Sequence, residues 1–141
     1  MRPPMNATRR RRAEALMVDR CIVTRVDKTQ PRDDVTGTWP SVQVYPDPAW
    51  PETHRHHNGR ARSTTYEAYE QTPETAGQYP TVQRYAAHLP VCEYAAEVGD
   101  VIEWTHCPLD PSREGTRERI TAPFSKTLAT AQRVFVDRMP D

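Results

Sequence analysis

Tyr85-Ala86-Ala87-His88-Leu89-Pro90-Val91, followed by Val98-Gly99-Asp100-Val101-Ile102-Glu103-Trp104, is the part of the chain that decides the fold. A strand that closes on Leu-Pro-Val, a short exposed link and a Gly-Asp turn that launches a second apolar strand form a pattern of small antiparallel barrels. Neither stretch carries a group suited to covalent chemistry. A protein read this way is built to fit against others.

Working outward, similar strand signals recur at intervals set by turn residues. Asp19 to Val26 reads as a first strand, because Ile22, Val23, Thr24 and Val26 are β-branched and favour the pleated conformation. Asp33-Asp34-Val35-Thr36-Gly37 is a turn, and Ser41 to Tyr45 is a second strand with Val42 and Val44 in alternation. Residues 46–59 hold three prolines, three histidines and an Asn-Gly pair, which predicts an irregular surface loop. Arg60 to Tyr69 resumes as a strand, Glu70 to Gln78 is a polar connection, and Tyr79 to Leu89 is a strand burying Val82, Tyr85 and Leu89. Val101 to Trp104, Glu118 to Pro123 and Thr130 to Asp137 complete the set. The expected fold is therefore mainly β: a small antiparallel barrel or sandwich of about seven strands with long loops.

Ahead of the strands, Asn6 or Thr8 caps a short helix that runs through Arg9-Arg10-Arg11-Arg12 to Val18, with Ala13, Leu16 and Met17 on one face. Four arginines in a first helical turn oppose the positive end of the macrodipole, so helix stability does not account for them. A solvated basic face, an acidic protein partner and DNA are the three readings of Arg9, Arg10, Arg11 and Arg12. The expected division is a flexible leader over residues 1–8, one domain over 9–138 and a short tail over 139–141.

The 141 residues suit a single domain, and with 36% hydrophobic residues and 14 prolines the core must be small and much of the chain loop or partner-covered surface. Nineteen basic residues balance nineteen acidic ones, which removes a whole-domain electrostatic argument for nucleic acid or membrane and leaves little charge repulsion against self-association. No apolar run approaches the roughly 20 residues that span a bilayer, so no membrane is expected. Cys21, Cys92 and Cys107 are odd in number and widely spaced, with no secretory segment ahead of them, which suits a reducing, cytoplasmic origin. Cys21 and Cys92 read as buried thiols and Cys107, before Pro108, as partly exposed.

The candidate chemistry is thin. His54, His56 and His57, with His106 and Cys107, are the residue types that ligate zinc, but three of them sit in one loop around Arg55 rather than on paired knuckles. His106 and Cys107 are chain neighbours that point to opposite faces, so they do not make a nucleophile and base. No phosphate loop, nucleophile elbow or dinucleotide fingerprint occurs. Tyr66, Tyr69, Tyr79, Tyr85 and Tyr94, interleaved with Arg60, Arg62 and Arg84, are either a nucleic-acid surface or core and interface residues. Trp39 and Trp50, each beside a proline, read as partner anchors. No catalytic residue, metal or cofactor is expected.

The order of these features resembles a known family. Arg12 to Val26 (RAEALMVDRCIVTRV), Asn58 to Arg62 (NGRAR), Pro73 to Gln78 (PETAGQ), RYAAHLPV, EVGDVIEW, Asp110 and the terminal ATAQRVFVD are similar, as an ordered set, to head-closure or stopper proteins of the neck of tailed phages of actinobacteria. The resemblance implies a non-enzymatic virion protein, a β-barrel subunit of a homo-oligomeric ring, typically a dodecamer. It implies a place between the portal and adaptor proteins and the tail terminator or tail tube, where the ring retains packaged DNA and touches it without sequence preference. Assembly would take place in the host cytoplasm. The basic helix would be a docking element, and His54, Arg55, His56 and His57 a lumen or docking loop. Two rivals stand beside it: a tail terminator or minor tail protein of similar fold, and a metal-dependent enzyme using the histidine loop with His106.

Overall fold

The computed structural model describes residues 5–68, 82–124 and 130–139. One helix, α1 (Met5–Ala15), precedes seven strands: β1 (Asp19–Val26), β2 (Ser41–Tyr45), β3 (Arg60–Ala68), β4 (Val82–Leu89), β5 (Val101–His106), β6 (Arg117–Phe124) and β7 (Gln132–Arg138), with a short 3-10 turn at Pro111–Arg113 between β5 and β6. Every pairing is antiparallel, in the order β2-β1-β3-β4-β7-β6-β5, and β1 also pairs with β5. That last pairing closes β1, β3, β4, β7, β6 and β5 into a six-stranded barrel and leaves β2 outside, on the second half of β1.

Closing so few strands demands strong local twist, and the irregularities in register supply it. β1 shifts register between Arg20 and Cys21 against β5 and between Val23 and Thr24 against β2, while β6 shifts between Ile120 and Ala122 against β7. The bent β1 thus serves β5 on one side and shares the other between β3, through Asp19 and Arg20, and β2.

The interior follows the period of two. Cys21 and Val23 of β1, Ala87 and Leu89 of β4, Ile102 and Trp104 of β5, Ile120 of β6, and Val134 and Val136 of β7 are buried in one cluster. Each fully buried aliphatic side chain there stabilises the fold by about 1.5–3 kcal/mol, and Trp104 is the largest of the set. Tyr45 and Tyr94 belong to the same cluster, with ring centroids 5.5 Å apart, and the Tyr45 hydroxyl donates to the Arg60 carbonyl.

The strand reading from sequence holds for β1 and β2 at both ends, and β5 runs two residues further, to His106. β7 starts at Gln132 rather than Thr130, and β3 is described to Ala68. Tyr69, the polar connection and the first residues of the expected fourth strand lie outside the described residues. The helix differs more. It begins at Met5, taking in residues assigned to the leader because no proline interrupts the chain between Pro4 and Pro31, and it ends at Ala15 rather than Val18. Its last turn tightens through bonds from Leu16 N–H to the Ala13 carbonyl and Met17 N–H to the Glu14 carbonyl. The expected apolar face of Ala13, Leu16 and Met17 is therefore not formed. Met17 turns inward, Ala13 is half-buried, Leu16 is 58% exposed, and among residues 7–15 of α1 the buried one is the acidic Glu14.

Candidate functional site

Of the four buried carboxylates among the described residues, Glu14, Asp100 and Glu118 organise the surface and the barrel, and none stood out in the sequence as a site. Glu14 is held by the histidine loop: its Oε1 lies 2.9 Å from His56 Nε2, and its Oε2 forms an ion pair with Arg55. The loop is shaped to reach it. A succession of turns, with Trp50 N–H on the Asp47 carbonyl, His54 N–H on Pro51 and His57 N–H on His54, brings residues 47–59 round in a compact coil. The His54 ring stacks on Trp50 at 3.9 Å, and Trp50 meets Tyr45 edge to face at 6.1 Å. Gly59 ends the coil with φ of +77°, and its carbonyl accepts the Cys21 N–H at 2.9 Å. A Cβ at this position would stand 2.4 Å from the Cys21 carbonyl oxygen, so only glycine lets the loop come this close to β1.

The histidine loop is thus less exposed than expected. His56 is buried and His54 half-buried, while Arg55 and His57 remain at the surface. Both His54 nitrogens are engaged, Nδ1 by the His56 N–H at 3.1 Å and Nε2 by Glu93 at 3.4 Å. His106 is exposed and faces Glu114. Among the described residues, no three His, Cys, Asp or Glu side chains are grouped to hold a metal ion. Of the two tryptophans expected as anchors, Trp39 is exposed, whereas Trp50 is half-buried against the core. Arg9, Arg11 and Arg12 are exposed on α1 and Arg10 is half-buried.

Asp100, at the Gly-Asp turn, is the second carboxylate. It accepts from Arg25 Nε at 2.8 Å and Nη2 at 2.9 Å, from the Tyr94 hydroxyl at 2.7 Å and from the Glu97 N–H at 3.1 Å. Burial alone would raise its carboxyl, but these donors outweigh burial and hold it below its ordinary value. Arg25 also donates to the Ala95 carbonyl, so the pair ties the end of β1 to the link between β4 and β5. Glu118, the third, faces inward from β6 in phase with Ile120, accepts from the Trp104 indole N–H and lies 3.9 Å from Arg113 Nη2. Desolvation pushes its carboxyl up, against the pull of Trp104, Arg113 and Arg138.

The thiols also depart from expectation. Cys107 is buried, with Cys21, because the chain turns inward after the exposed His106, and Cys92 is the half-buried one. Burial pushes the Cys92 and Cys107 thiols up to about 11 and Cys21 higher still, the opposite of an activated nucleophile. Of the interleaved tyrosines, Tyr94 is buried and Tyr85 lies half-buried beneath Arg138 and Arg113, while Tyr69 and Tyr79 lie outside the described residues.

A cleft of about 360 Å³ opens where α1 meets the barrel. Leu16, Val18 and Leu109 form its apolar part, with Arg62, Ser63 and Arg113 among its polar lining. The Asp19 carboxylate beside it accepts the Ser63 N–H, while Ser63 Oγ and Arg113 Nε and Nη2 are buried without a hydrogen-bond partner. No helix among the described residues is long and apolar enough to cross a membrane.

The profile of one protein family matches residues 9–137, from the arginines of α1 to the end of β7, and its description is a family of unknown function, DUF6093. The chain belongs to this family. No curated protein and no solved structure matches it. The DUF6093 match spans Glu14, Asp100, Glu118 and the cleft.

Proposed function

We propose that this DUF6093 protein is a structural, non-enzymatic component of the phage neck, a head-closure subunit that forms a ring between the portal-adaptor complex and the tail. The observation that carries the reading is where the resembling segments fall in the fold. The head-closure-like stretches supply β1, β4, the Asp100 turn with β5, and β7. These strands form two adjacent pairs of the closed barrel, β1 with β5 and β4 with β7.

The chemistry of the described residues supports the same reading. Glu14, Asp100 and Glu118 are bound to neighbours that fasten one element to another, and the thiols are buried or suppressed. A subunit of this kind works by contact, and many identical contacts in a ring add by avidity. Exposed Arg9, Arg11 and Arg12 would face negative charge, on an adaptor protein or on DNA in the channel.

Electron microscopy of whole particles carrying a label at the C-terminus of this chain tests the proposal. Ring density at the neck, at the junction of head and tail, is the expected result. Label along the tail or at its tip favours a tail-terminator or minor tail protein, and particles without label exclude a virion role.

A further inference from the structure

We infer that the protein self-associates head to tail, with the tip of the β1–β2 connection of one copy seated in the cleft between α1 and the Pro111–Arg113 turn of the next. The inference deepens the ring reading above and rests on it only for closure of the ring; the contact itself is a property of the isolated chain.

The tip is a built structure that presents one apolar side chain. Asp33 Oδ1 accepts the Val35 N–H at 2.9 Å, the Asp33 carbonyl accepts the Gly37 N–H at 2.8 Å, Asp33 N–H donates to Thr38, and Arg32 Nε donates to the Gly37 carbonyl. Gly37 takes φ of +69°, which allows the reversal. Val35 is 94% exposed on this scaffold, beside the exposed carboxylates Asp33 and Asp34. A knob ordered in advance loses little freedom on docking.

The cleft offers the complement. Leu109 is 84% exposed and Leu16 58%, and together they form an apolar patch on the cleft. Its polar lining carries two guanidinium groups: Arg62 is exposed, and Arg113 is half-buried, with Nη2 3.9 Å from Glu118 and Nε without a hydrogen-bond acceptor. The cleft's own carboxylates have partners, Asp19 the Ser63 N–H and Asp110 the Ser112 hydroxyl. An apolar side chain flanked by carboxylates satisfies both needs, and Asp34-Val35 is such an element.

Position sets the symmetry. Asp19, the first residue of β1, lines the cleft, and the arm departs after Val26, its last residue, so the two surfaces are separated by the length of the strand, roughly 23 Å at about 3.3 Å per residue. Two different patches at opposite ends of one element make a heterologous contact, which yields rings when the rotation closes and filaments when it does not.

The test is sedimentation velocity and native mass spectrometry of the full chain up to millimolar concentration. The wild type should form dimers and larger species. Val35→Asp and Leu109→Asp, both at positions too exposed to affect folding, should each weaken association about tenfold or more. Mixed, they should give a 1:1 dimer and nothing larger, because the first retains the cleft and the second the tip. Asp34→Lys should weaken association, and Arg62→Glu should restore it in the mixed pair. A monomeric wild type, or unaltered association of the variants, overturns the inference. Neither result bears on the neck assignment, which the labelled particles decide.

Discussion

Asp100→Asn is the substitution that most directly tests how the barrel end is held. Asp100 is buried and receives four donors, two from Arg25, one from Tyr94 and one from the Glu97 backbone. The amide keeps the volume but loses the charge and turns one oxygen into a donor. Its best orientation leaves the oxygen towards Tyr94, Glu97 and Arg25 Nη2, and then two donors, the new NH2 and Arg25 Nε, face each other. Each lost bond to a charged group costs about 1.5–3 kcal/mol, and breaking a buried pair outright about 3–5 kcal/mol. The Arg25 side chain is 32% exposed and recovers part of this from water, so the expected loss is about 3 kcal/mol. For a domain of this length that corresponds to a fall in Tm of roughly 10 °C. The sign with pH is fixed as well. The Asp100 carboxyl lies below its ordinary 3.8, so its contribution is present above that pH and disappears as pH falls through the lower folded value. Urea unfolding followed by tryptophan fluorescence at pH 7 and at pH 3 measures both. A loss below about 1 kcal/mol at pH 7, or a gap between variant and wild type that does not narrow in acid, would refute the reasoning.

Other outcomes follow from the same geometry. Gly59→Ala forces a side chain into positive φ and against the Cys21 carbonyl, and should destabilise by at least about 2 kcal/mol in denaturant titration. Glu118→Gln keeps an acceptor for the Trp104 indole while removing a buried charge. Because the Glu118 carboxyl is raised above its ordinary 4.5, its favourable contribution is present below that pH and lost as pH rises through the folded value. The variant should match or exceed wild-type stability at pH 7 and lose ground to it towards pH 4.5, and a large loss at pH 7 would show the carboxylate to be needed in its charged form. Thiol titration of the native protein at pH 8 should label Cys92 slowly and Cys21 and Cys107 hardly at all, with all three reacting in denaturant. Rapid native labelling of Cys107 would contradict its placement.

The sequence by itself determined the elements whose causes are local. Alternation at Cys21 and Val23, Ile102 and Trp104, Ile120, and Val134 and Val136 marks one face of each strand for burial, and Gly and Pro between them end the strands. Glu118 was not singled out, although its place two residues from Ile120 puts it on the same, inward face. The arginine run and the ordered motifs were also in the sequence, and with them the resemblance that supports the neck reading.

Tertiary structure alone decided which polar groups meet. Arg25 and Asp100 are 75 residues apart and Glu14 and His56 42 apart, and nothing local to either member announces its partner. The closing pairing of β1 with β5, and the turning of His56, Trp50 and Cys107 toward the interior, depend on register and on bulges set by the whole barrel. The physical reason is that a strand's face is written in its own period of two, whereas its neighbours are chosen by the burial and hydrogen bonding of all the strands together.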